Sequence, residues 1–158
     1  MVVMIDGHLD KTQYRRFKIR SVEGPNDYAM MKEAIYRRFK RYAGNADEAP
    51  STGELPNLVV VDGGKPQLSA AIEALSELGL RERPRLIGLA KEFERVFVEG
   101  SPEPISLPRN SLALQLIQEL RDEAHRFALS YHHRLRSARD SKSVLDEIPG
   151  IGAKQIGR

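Results

Sequence analysis

The sequence predicts an α/β fold, a mixed sheet flanked by helices. Three observations carry the prediction. Apolar runs of strand character alternate with segments of helical periodicity, and the second half follows the strand–helix–strand order that produces parallel pairing. A continuous apolar run, Leu58–Val61, passes through Asp62-Gly63-Gly64-Lys65 straight into a helical pattern, and α/β proteins bind ligands at such junctions. With 41% of its 158 residues hydrophobic the chain can fill a core, yet no apolar run approaches the ~20 residues of a membrane span.

Element by element, Met1–Ile5 is apolar and β-prone, Asp6-Gly7 is a turn signal, and Gln13–Arg20 alternates Tyr14, Arg16 and Lys18 against Arg15, Phe17 and Ile19. Together these predict a hairpin. Gly24-Pro25-Asn26 breaks the strand, and Asn26 or Asp27 can cap a helix running to about Tyr42, with Met31, Ile35, Phe39 and Tyr42 on its buried face. Residues 44–54 read as a polar loop. After the strand at 58–61 a helix from Pro66 to Leu78 buries Leu68, Ala71, Ile72, Leu75 and Leu78. Strands follow at 85–90, 95–98 and 104–107, then a long helix from about Ser111 to Arg136 with Leu116, Leu120, Ala124, Phe127, Tyr131 and Leu135 as its core stripe. The predicted division is a main domain at 1–136, a charged linker at 137–142 and a partial DNA-binding motif at 143–158.

Composition narrows the chemistry. With no cysteine, disulfides and thiolate metal sites are excluded. No secretory leader is visible, so a cytoplasmic location is expected. A metal would have to sit on carboxylate oxygens, imidazoles or water, which favours Mg²⁺ or Mn²⁺. The net charge of +3 is mild, but cations gather at Arg15, Arg16, Lys18 and Arg20, at Arg37, Arg38, Lys40 and Arg41, and at Arg121, Arg126, Arg134, Arg136 and Arg139. Such local concentration suits a polyanion, although solvated faces of an Arg-rich protein read the same way.

Asp62 leaves its strand as a potential metal ligand. Gly63 and Gly64 would let the backbone approach a phosphate, Lys65 would supply charge, and Pro66 suits a first helical position. On the long helix His125 falls off the apolar stripe among arginines. An imidazole there can ligate a metal, take a proton from water or bond a phosphate, or it is simply solvated. Ile148-Pro149-Gly150-Ile151-Gly152-Ala153-Lys154 has the pattern of a helix-hairpin-helix turn, a sequence-independent binder of the DNA backbone. A nucleotide-binding reading of Gly63-Gly64-Lys65 is weaker, because no Ser or Thr follows the lysine.

Taken in order, 14–19, 55–65, 88–91, 107–111, 121–127 and 143–152 resemble the carboxyl-terminal half of the UvrC family, nuclease subunits of the bacterial UvrABC excinuclease. The resemblance implies an RNase H-like domain lacking its first central strand, followed by a partial helix-hairpin-helix. It implies incision on the 5′ side of a lesion in double-stranded DNA, with UvrB and UvrA engaged through parts of the family protein outside this chain. The family's catalytic positions correspond to Asp62, which would hold the metal, to His125 and to Asp27, although Asp27 reads equally well as a helix cap. Lys65, Arg109 and Arg126 are candidates for phosphate contact, with Gly63, Gly64, Gly150, Gly152 and Lys154. The family's first catalytic aspartate lies on a strand preceding this sequence, and Asp6 reads as a turn residue rather than its substitute. A non-catalytic DNA-binding role is therefore the alternative expectation.

Overall fold

The computed structural model describes residues 1–22, 24–43, 55–80, 83–90 and 95–146, with side chains as far as residue 130. Two compact units divide the chain. One combines Met1–Arg16 with the last helix from Asp122 onward, and the other is Phe17–Arg121.

In the first unit, β1 (Met4–Ile5) and β2 (His8–Leu9) form an antiparallel hairpin. Asp6 and Gly7 join them at φ of 50° and 79°, the left-handed pair that matches strand twist in a two-residue turn. Asp6 is a turn residue, as expected. The second predicted strand of the hairpin is a correction. Asp10 caps a single 3₁₀ turn at Lys11–Gln13, accepting from the Thr12 N–H and hydroxyl, and residues 14–20 form no strand. Arg15 alone of these keeps a ladder-like exchange, bonding Met1 in both directions at 2.9 and 3.1 Å.

The second unit shows where the remaining backbone groups go. Helix α1 (Asp27–Phe39) is capped by Asn26, whose side chain accepts from the Ala29 N–H at 3.0 Å. Its Glu33 carboxylate accepts from the N–H groups of Arg20 and Ser21, and Arg37 donates to the Lys18 carbonyl. Side chains of α1 thus take the place of a neighbouring strand, which is why an alternating segment stays unladdered. Ile35 and Phe39 are buried as the periodicity requires, and a 3₁₀ turn ends the helix at Tyr42.

A four-stranded mixed sheet follows in the order β3 (Leu58–Asp62), β4 (Arg85–Ala90), β5 (Arg95–Val98), β6 (Ile105–Ser106). β3 and β4 are parallel with Asp62 opposite Leu89, and the other pairs are antiparallel. The crossover is helix α2 (Lys65–Glu77), which begins one residue before the expected proline and buries Leu68, Ala70, Ala71, Ala74 and Leu75 against Val61, Leu86 and Leu89. β3 is an edge strand, and among the described residues nothing pairs with its outer side.

Helix α3 (Leu112–Asp146) starts where expected, the Ser111 hydroxyl accepting from the Leu114 N–H at 3.1 Å. Two expectations for it need correction. Its buried leucine is Leu114, while Leu116 is 42% exposed, because two residues along a helix carry a side chain about 200° round its axis, off the narrow contact stripe. It also runs unbroken past its expected end at Arg136, through 137–142. That stretch, Ser-Ala-Arg-Asp-Ser-Lys, contains neither Gly nor Pro and has good helix formers in Ala, Arg and Lys. Gly150, Gly152 and Lys154 lie outside the described residues.

Candidate active site

Asp62 is the last residue of β3 and exposed. The chain must turn at once to enter α2, and three contacts fix how it does so. The Gly63 N–H donates to the Leu89 carbonyl of β4 at 3.0 Å. The Gly63 carbonyl rests on Gly88, where a Cβ would stand 2.7 Å from it. The Gln67 side chain lies over Gly63 itself, so a Cβ there would meet Gln67 Cγ at 2.7 Å. Gly63 has φ of +148°, a backbone conformation that side-chain-bearing residues rarely adopt. The turn is clamped.

This geometry gives Gly63 a structural reason to be glycine. A phosphate-cradling role would need its N–H to point outward, but that N–H is spent on Leu89. Gly63 is glycine because Gln67 occupies its β position. Gly64 is the residue preceding α2, with Phe97 3.7 Å from where its Cβ would be. The first N–H groups of a helix have no acceptor within it and attract anions, so the phosphate expectation rests on Gly64 and the start of α2. Lys65 is exposed at that start, its ammonium donating to the Pro102 carbonyl.

The other predicted residues are placed as follows. Asp27 is the first residue of α1, and Asn26 is the cap. Its neighbour Tyr28 bonds Glu73 of α2, a little over two turns past Lys65, roughly 12 Å at the helical rise. Among the described residues no hydrogen bond joins Asp27 to Asp62. Arg109 is exposed in the turn before α3. His125 and Arg126 belong to the first unit, where His125 is exposed, as its position off the apolar stripe suggested. Arg126 grips Glu123 through two bonds of 2.6 Å, and Tyr14 donates to the same carboxylate at 3.1 Å. The Arg126 guanidinium, helped by the Tyr14 hydroxyl, holds Glu123 below the usual carboxylate range, while burial and then Glu123 push the Tyr14 phenol up. Phe127 completes the cluster, with Tyr14 edge-on at 5.1 Å and the Arg16 guanidinium 4.3 Å above its ring.

For a metal the donor set is lean. Among the described residues no three His, Cys, Asp or Glu gather around one point. Asp62 offers one carboxylate at an open strand end, which fits Mg²⁺ or Mn²⁺ held jointly by water and substrate phosphates and does not fit a closed structural site.

Residues 1–129 match the family described as the UvrC RNAse H endonuclease domain. The chain belongs to the UvrC family. It is 51% identical over 152 residues to UvrABC system protein C of Dehalococcoides mccartyi (strain CBDB1), and 48% identical over 155 residues to that of Moorella thermoacetica. The corresponding protein of Parafrankia sp. is 47% identical over 177 residues. These alignments cover 96%, 98% and 96% of the chain but 25%, 25% and 26% of the relatives. The chain spans about a quarter of the length of the UvrC relatives it matches.

Sequence reasoning missed Gln67, Gly88 and Leu89 as parts of the turn. Gly88 did carry a signal, since an isolated glycine within a strand marks close backbone approach. Gln67 carried none: its contact depends on the turn geometry.

Proposed function

We propose that this chain forms the core of a DNA endonuclease site that hydrolyses a phosphodiester with Mg²⁺ or Mn²⁺, centred on Asp62. The observation that carries the reading is the clamped turn at the carboxyl end of β3, in a chain matching the UvrC RNAse H endonuclease domain. Asp62 would hold the ion. When bound, the ion supplies charge neutralisation at the scissile phosphate and a more acidic water. The chain's own residues do the rest. Lys65, at the start of α2, exchanges the Pro102 carbonyl for a phosphate oxygen. Gly64 lets the helix N-terminus approach that phosphate. His125 takes a proton from water or protonates the leaving oxygen, and Arg109 binds the flanking backbone. Arg126 contributes less, because Glu123 already neutralises it. Asp27 assists only if substrate or metal reaches it.

In the whole protein this chemistry would make the 5′ incision beside a lesion during nucleotide excision repair. The partners would be damaged duplex DNA, held in addition by Gly150, Gly152 and Lys154, and UvrB and UvrA through regions outside this chain. The setting would be the cytoplasm. No helix among the described residues is long and apolar enough to cross a membrane.

One observation favours a second reading, a DNA-binding module that does not cut: no group of three metal-binding side chains forms among the described residues. A nicking assay on damaged duplex with Mn²⁺, with affinity for the same DNA measured in parallel, separates the two. Nicking supports the endonuclease. Tight binding without nicking selects the module, and neither binding nor nicking removes both.

A further inference from the structure

Gln67 is half-buried on the first turn of α2, and its side chain lies against Gly63. Would-be Cβ distances of 2.7, 2.8 and 2.9 Å to Cγ, the carboxamide carbon Cδ and Cβ show the side chain lying along that glycine from its base to its amide carbon. From the opposite strand, Gly88 leaves room for the Gly63 carbonyl, and Leu89 takes the Gly63 N–H. The two peptides flanking Gly63 are therefore both held, the Asp62–Gly63 peptide by its N–H bond to Leu89 and the Gly63–Gly64 peptide by the seat of the Gly63 carbonyl on Gly88. Rotating the second would drive the Gly63 carbonyl into β4. The carboxylate of Asp62 is attached to the residue whose exit is fixed in this way.

We propose that Gln67 and Gly88 are positioning residues that set the direction of the Asp62 carboxylate, acting through Gly63 and the two peptides that flank it. The proposal rests on the reading of Asp62 as the metal ligand. Gln67 acts here through shape, so a side chain of similar length without the amide serves as well. Removing the stem, or adding a methyl at Gly88, frees or displaces the turn while leaving the rest of the sheet paired.

The test uses the full chain, labelled for amide NMR, titrated with Mn²⁺, with thermal unfolding as a check on the fold. In the parent chain Mn²⁺ broadens the signals of Asp62 and Gly63. Gln67→Ala and Gly88→Ala each require about tenfold more Mn²⁺ for the same loss, the size expected when the support of a metal ligand is removed. Gln67→Met keeps the stem and responds like the parent. Parent-like behaviour of Gln67→Ala overturns the proposal, as does a Gln67→Met variant as impaired as Gln67→Ala. If Mn²⁺ leaves Asp62 untouched in the parent, the metal reading falls instead. Exchange of the Gly63 amide then decides the positioning claim: faster in Gln67→Ala and unchanged in Gln67→Met if it holds, equal in all three if it does not.

Discussion

Glu33 carries the unladdered backbone before α1. Its side chain is 10% exposed and accepts from the Ser21 hydroxyl and the N–H groups of Ser21 and Arg20, with Arg37 bonded alongside. The Ser21 hydroxyl and N–H first, then Arg20 and Arg37, hold this carboxyl down to about 2, against an ordinary 4.5. As pH falls the unfolded chain takes up that proton before the folded one does. The stabilisation is therefore complete above about pH 4.5 and is lost as pH drops towards 2. Thermal unfolding of the parent and of Glu33→Gln should converge across that window, and a constant difference down to pH 2 would contradict the assignment. This latch was not legible in the sequence. Glu33 and Ser21 are distant along the chain, and nothing in an acidic residue within a basic helix says which amides it will reach.

At the scale of elements, long periodic segments were readable and short ones were not. α2 and the strands β4 and β5 appear at or within a residue of their expected bounds, because buried apolar runs and a 3.6-residue period are strong local signals. The 14–20 segment misled because alternation describes which side chains face in, not whether a partner strand exists. α3 was expected to end at Arg136, although no residue at 137–142 breaks a helix. The candidate site was legible by residue type, Asp-Gly-Gly-Lys at a strand end, while its clamp depends on Gln67 and Gly88 brought together by the crossover. The α1–α2 contact allows a comparison of forces. Lys32 bridges Glu73 and Glu77 at 2.7 Å each on a partly exposed face, a class of interaction that contributes about 1 kcal/mol or less. Leu75 is 1% exposed, and truncating such a leucine costs about 2–5 kcal/mol. Urea denaturation should show Leu75→Ala losing several times more stability than Lys32→Ala, and the reverse order would place the ion pairs above the core.

For the whole molecule the claim is that two kinds of cation serve one polyanion unequally. Each phosphate neutralised adds about 0.9 to the slope of log affinity against log salt. Arg109→Gln should lower that slope by about 1 in a fluorescence titration with duplex DNA. Arg126→Gln should lower it by less, since Glu123 already holds its guanidinium at 2.6 Å. Equal effects would mean that DNA displaces Glu123 fully. Catalysis by this chain depends above all on Asp62 under the proposed function. The decisive measurement is the rate of Mn²⁺-dependent nicking of damaged duplex by the chain and by Asp62→Ala, with DNA affinity measured for both. Loss of the carboxylate proposed to hold the ion should slow nicking by about 10³, roughly 4 kcal/mol of transition-state stabilisation, with affinity changed by less than about twofold. Nicking by Asp62→Ala at the parent rate would contradict the account.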